Sequence, residues 1–196
     1  KNKGENARLY NAVQAVSDYA CALGVNIPTG KDSLSMTQKY PGKTVYSPGT
    51  VIISAVGQVT DIRKTIEPVA KVVDGSKLLY LNLGSKGFEL GGSTLGQVLN
   101  KLGDSTPDAA EADYFVKVFS LMQLLISEGL IIAGHDVSSG GLVTTLLEMC
   151  FPSASVGMKV SLDDLNEPDA VKVLFSENPG LVVQTTDAAR LETIFT

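Results

Sequence analysis

An α/β (α+β) fold class follows from three features of the sequence. Short apolar runs that read as strands alternate with segments of helical periodicity. Glycine-rich turns punctuate them, notably over Gly84–Gly92 and at Ser139-Gly140-Gly141. Of 196 residues, 44% are hydrophobic and 19% charged, which supports a buried core and excludes wholesale disorder.

Taking the elements in order, Leu9, Val13, Val16, Ala20 and Leu23 recur at helical spacing, with Gly24 placed as the stop. Val25-Asn26-Ile27 is a short extended piece leading through Pro28 into the polar cluster Thr29-Gly30-Lys31-Asp32-Ser33. Pro41-Gly42 and Ser47-Pro48-Gly49 are turn signals. Thr44-Val45-Tyr46 and the long apolar run Val51–Val59 read as strands. Composition and periodicity both change over residues 62–76, where Pro68 and Asp74-Gly75 fall. The expected organisation is therefore one subdomain over 1–61, a linker over 62–76 and a second subdomain over 77–196.

In the second subdomain Leu78–Leu83 reads as a buried strand. A helix is expected from Ser93 or Thr94 to about Gly103. A longer one carries Phe115, Val118, Phe119, Met122, Leu125 and Ile126 on one face and stops near Gly129. Leu130–Ala133, Val156–Val160 and Leu181–Gln184 read as strands, and Leu142–Cys150 and Asp169–Phe175 as helices. The final residues still read as helix without a closing Gly or Asn, and no methionine opens the chain. The expectation is a piece of a longer polypeptide whose first subdomain lacks some of its sheet partners.

The charge balance narrows the function. Sixteen Lys and Arg against 21 Asp and Glu leave a net charge of −5, which disfavours a nucleic-acid partner. No apolar run approaches the roughly 20 residues of a membrane span, so no membrane partner is expected. The polar opening Lys1-Asn2-Lys3-Gly4 is unlike a signal segment, and the expected location is cytoplasmic. Cys21 and Cys150 sit in apolar helical patterns and read as buried hydrophobes of a reduced compartment. With one histidine, His135, the chain cannot assemble a multi-His/Cys zinc site, and no G-x-S-x-G nucleophile elbow is present. Gly87 and Gly92 have P-loop spacing, but Ser93 stands where the lysine belongs. The chemistry left is that of carboxylates, backbone amides and a bound cation.

Gly134-His135-Asp136-Val137-Ser138-Ser139-Gly140-Gly141 is the strongest constellation. An apolar strand gives way to an acid, and two glycines then open an apolar helix. Glycines let backbone amides approach an anion, and a helix N-terminus adds partial positive charge. Asp136 is suited to share a hard cation such as Mg2+ with phosphate oxygens, and Ser138 to hydrogen-bond the same ligand. The residues equally allow Asp136 or Ser138 to be a plain helix cap, and His135 to be a structural histidine. Lys31, Asp32 and Ser33 form a second candidate, readable as a phosphate or cation-water site or as an ordinary polar turn. Gly91-Gly92-Ser93-Thr94 is a third, either an anion seat or an N-cap, while Glu177 is a ligand candidate among acids that are mostly solvated.

These same stretches resemble a known family. Ile27-Pro28-Thr29-Gly30-Lys31-Asp32-Ser33-Leu34-Ser35-Met36 is similar to the I-P-V-G-K-D-S-x-S-M stretch of the large, single-chain phosphoribosylformylglycinamidine synthases. Gly134–Leu142 resembles their H-D-x-S-D-G-G-L stretch, with Ser139 in place of the usual Asp, and Leu146-Leu147-Glu148-Met149 resembles the helix after it. Leu90-Gly91-Gly92-Ser93 and Leu174-Phe175-Ser176-Glu177 also resemble segments of that family and its aminoimidazole-ribonucleotide-synthetase-like relatives.

The resemblance implies the second synthetase-like half: the end of its N-terminal-type subdomain, then a truncated C-terminal-type subdomain. It implies a ligase that uses glutamine as amide donor and ATP with Mg2+ to convert formylglycinamide ribonucleotide to formylglycinamidine ribonucleotide in purine biosynthesis. Asp136 then matches a magnesium ligand, and Ser138, with Gly140 and Gly141, a nucleotide- or substrate-binding turn. The implied partners are the rest of the same polypeptide, including the first synthetase half and a glutaminase domain, and a small ribonucleotide substrate. The implied chemistry is ATP activation of the formamide oxygen followed by displacement by ammonia. The piece is expected to be inactive alone. Two alternatives stand beside this: a structural module holding a non-reacting auxiliary nucleotide, and a part of a related selenophosphate synthetase or small-molecule kinase.

Overall fold

The computed structural model describes residues 3–31, 36–47 and 49–195. They form two compact units, residues 1–60 and 61–196.

In the first unit α1 runs over Glu5–Leu23, and Gly24 closes it with its N–H on the Ala20 and Cys21 carbonyls. No residue of α1 is buried, and Cys21 is exposed rather than buried as expected. Its apolar stripe has helical spacing, but nothing among the described residues of this unit buries it. Strands β1 (Thr37–Tyr40) and β2 (Lys43–Tyr46) form an antiparallel hairpin around Pro41-Gly42, in register Thr37 with Tyr46. The sequence reading missed β1, whose Thr-Gln-Lys-Tyr pattern carries little apolar signal. Val51–Val59 is not a strand; Ile52 is 83% and Val56 100% exposed. A strand exists through ladder partners, and this run has none among the described residues.

The second unit contains a three-stranded antiparallel sheet, ordered β3 (Lys77–Asn82), β5 (Gly180–Thr185), β4 (Ala133–Val137). Helices α2 (Thr94–Val98), α3 (Ala112–Ser127), α4 (Gly141–Cys150), α5 (Ala170–Phe175) and α6 (Ala188–Phe195) accompany it. Alternation along the central strand separates two cores. Val182 packs with Ala133, Val137, Leu142, Met149 and Val173, on the side of α4 and α5. Val183 packs with Val118, Met122, Leu125 and Leu191, on the side of α3 and α6. Helices on both faces explain why β5 is apolar along most of its length.

Gln184 then uses its side chain as a ladder group. Its Oε1 accepts from the Lys71 N–H at 2.8 Å, and its Nε2 donates to the Lys71 carbonyl at 2.8 Å and to Ser76 Oγ at 2.9 Å. The segment before β3 is thereby pinned to the centre of the sheet.

Two element boundaries differ from the sequence reading, and one expected strand does not form. β4 begins at Ala133 rather than Leu130, because the exit from α3 uses Leu130, whose N–H donates to the Leu125 carbonyl. The helix expected to reach Gly103 ends at Val98, and Asn100 turns the chain with φ 53°. Val156–Val160 is not a strand: Val156 and Met158 pack on the first core, so the alternation marks burial without backbone pairing.

Candidate functional site

β4 carries His135 and Asp136 to its end, where Ser138–Gly141 turns the chain into α4. The Gly141 N–H donates to the Ser138 carbonyl at 3.0 Å, closing the turn. Both glycines hold positive φ, 90° at Gly140 and 75° at Gly141, a region that a side chain strains. Space is also lacking, since a Cβ on Gly140 would strike Thr144 Oγ1, and one on Gly141 the carbonyls of Leu174 and Ser176. Thr145 Oγ1 donates to the Asp136 carbonyl at 3.0 Å, tying α4 back to the strand end.

The Asp136 carboxylate points outward, with its side chain 70% exposed. Its backbone is fixed by pairing with Leu181 while its charge stays available to a ligand. His135 lies beside it, side chain 17% exposed, with Nδ1 3.4 Å from Asp136 Oδ1 and 2.8 Å from the Asp136 carbonyl oxygen. Its Nε2 faces Glu148 Oε2 on α4 at 3.2 Å. The ring thus bridges strand end and helix, the structural role the sequence allowed.

Neither Asp136 nor Ser138 caps α4: the N-cap is Gly140, without a side-chain cap of its own. Glu177 takes that place from a distance. Its Oε1 accepts from Gly140 N–H at 2.9 Å and from Thr94 N–H at 2.7 Å. The sequence offered Glu177 as a ligand candidate or a solvated loop acid; its partners lie 37 and 83 residues away, beyond any local pattern. At the third candidate, Ser93 is an ordinary N-cap, accepting from Gly96 N–H at 3.1 Å. A cavity of about 350 Å3 lies under that turn, lined by Gly91, Leu95, Lys101, Ser105 and Lys172 among others, and Asp136 does not line it.

Lys31 is exposed, and Asp32 and Ser33 lie outside the described residues. The sheet is antiparallel throughout, so the crevice rule for parallel strand ends does not apply to it. What remains is an outward carboxylate, the exposed Ser138 and a glycine turn opening a ten-residue helix. No group of three or more His, Cys, Asp or Glu is gathered for a metal among the described residues. One carboxylate still fits Mg2+, which is commonly held by one or two carboxylates together with ligand phosphates and water.

Comparison with known proteins decides the family. Residues 73–195 match the model of the AIR synthase related protein, C-terminal domain. The chain belongs to the AIR synthase-related family. Residues 1–58 match a second model, the FGAR-AT PurM_N-like domain. Among curated relatives, the human phosphoribosylformylglycinamidine synthase is 41% identical over 97% of the chain. The probable phosphoribosylformylglycinamidine synthase of Caenorhabditis elegans is 37% identical over 100% of it. The probable chloroplastic/mitochondrial one of Arabidopsis thaliana is 41% identical over 94%. The resemblance carried by the G-K-D-S-L-S-M and H-D-V-S stretches is thus found along the whole sequence. The chain spans 13–16% of the length of these relatives. A solved structure titled "Structure of PurLQS from Thermotoga maritima" aligns with 68% of the chain and 21% of its own, at 21% identity and a TM-score of 0.49. The mixed α/β architecture agrees with the AIR synthase-related assignment. No helix among the described residues is long and apolar enough to cross a membrane.

Proposed function

We propose that this AIR synthase-related chain is part of a cytoplasmic phosphoribosylformylglycinamidine synthase. In it, the chain lends Asp136 and Ser138 to a site for Mg2+ with ATP or with the phosphate-bearing substrate. The observation that carries this is the outward Asp136 carboxylate at the start of the Ser138–Gly141 turn, in a chain 41% identical over 97% of its length to a relative of that name. Asp136 would hold the cation, Ser138 would hydrogen-bond a ligand oxygen, and the Gly140-Gly141 backbone would keep side chains out of the approach. Bound Mg2+ supplies charge neutralisation for phosphoryl transfer.

In this reading residues 1–61 end one subdomain, 62–76 link, and 77–196 begin the next. The remaining ligands, a first synthetase half and a glutaminase domain are contributed by the rest of the polypeptide. Lys31, Asp32 and Ser33 are proposed as a secondary contact for the same class of ligand.

The test uses the polypeptide that carries this sequence, assayed for ATP- and glutamine-dependent conversion of formylglycinamide ribonucleotide. Wild type is expected to turn over. Asp136→Asn is expected to lose about a hundredfold or more, because metal charge stabilisation is worth several kcal/mol. Turnover that survives Asp136→Asn would make this a non-reacting auxiliary site, and no conversion by wild type would overturn the assignment.

A further inference from the structure

Glu177 sits at a junction of loops that lie far apart in the sequence. Its Oε1 accepts two backbone N–H groups, Thr94 at the start of α2 and Gly140 at the start of α4. Its neighbours stitch adjoining loops. Ser176 Oγ donates to Asn178 Oδ1 at 2.8 Å, and Asn178 Nδ2 donates to the Gly87 carbonyl at 3.4 Å. A Cβ on Gly141 would come within 2.7 Å of the Ser176 carbonyl oxygen. The short segment 174–178 therefore fixes both glycine loops of the second unit.

Glu177 is the charged member of that segment. A carboxylate on two amides forms charge-assisted bonds, roughly twice as strong as neutral ones. It also supplies the acceptor that α4 lacks at its own N-cap. The turn it holds is the one between Asp136 and α4, which Thr145 anchors from the other side.

We propose that Glu177 is a positioning residue. Its carboxylate latches Thr94 to Gly140 and so holds the Asp136–Ser138 turn in the shape that a magnesium-bound nucleotide or phosphate requires. This rests on the site reading given above. Its Oε1 is committed to the two amides.

The experiment uses the whole polypeptide that carries this sequence, as wild type and with Glu177→Ala or Glu177→Gln. Amide hydrogen exchange is read residue by residue, and Mg·ATP binding by calorimetry. Glutamine keeps the Oε1 acceptor, and alanine removes it. In Glu177→Ala, exchange at Thr94 and Gly140 is expected to rise about tenfold or more, with Val182 and Val183 unchanged, and Mg·ATP binding to weaken by about tenfold. Glu177→Gln is expected to restore most of both. Unchanged exchange at Thr94 and Gly140, or acceleration shared equally by Val182 and Val183, would overturn the latch. Faster exchange with unaltered binding would overturn the positioning role. Absence of binding by wild type would contradict the site reading and the nucleotide part of this proposal with it, while the exchange rates would still decide the latch.

Discussion

Gly141 and Ser176 approach so closely that the α-carbon of one faces the carbonyl of the other with no room for a methyl group. A Cβ on Gly141 would lie 2.7 Å from the Ser176 oxygen, and φ there is +75°. Gly141→Ala is therefore expected to cost about 2–4 kcal/mol, combining left-handed strain with overpacking. Urea denaturation checks this; a midpoint within error of wild type would mean that the α4–α5 junction yields easily.

Two adjacent leucines of α3 separate core from surface. Leu125 is 1% exposed and Leu124 52%. Leu125→Ala is expected to cost about 2–5 kcal/mol, the usual range for a truncated core leucine. Leu124→Ala should stay within about 0.5 kcal/mol in its packing contribution. Equal losses at the two positions would contradict the assignment of faces.

Tyr80 gives a pH signature. Burial pushes its hydroxyl from the ordinary 10.0 up to about 12. The folded state thus favours the neutral phenol more than the unfolded chain does. The stability this represents is fully present below about pH 10 and is lost as pH rises toward 12. Ultraviolet titration is expected to show Tyr80 ionising late. Tyr80→Phe should remove that phase and flatten the alkaline fall in stability; an unchanged alkaline profile would contradict it.

Much of this fold is legible in the sequence because its signals are local. Gly24 and Gly129 mark where helices stop, and the apolar faces of Phe115–Ile126 and Leu142–Cys150 give the right helices. β3 and β5 read correctly as apolar runs because helices bury both faces of the sheet. Two failures share one cause. Val51–Val59 and Val156–Val160 are apolar enough for strands, yet a strand depends on a distant partner that a linear pattern does not reveal. Glu177 is the same problem at the site: its identity is plain, but its meaning lies in two amides brought to it by the fold. Asp136 and Ser138 stand out as candidates because acid, serine and paired glycines lie within six residues.

The central claim is that Asp136 presents its charge to a divalent cation at the strand end. The most direct measurement is a Mg2+ titration of the whole polypeptide that carries this sequence, followed through selectively labelled backbone amide signals of Asp136, Ser138 and Gly140, in the presence and absence of ATP. Saturable shifts confined to this turn, strengthened by ATP and abolished in Asp136→Asn, are the expected result. Shifts that persist unchanged in Asp136→Asn, or a turn that stays silent at saturating Mg2+ and ATP, would contradict it.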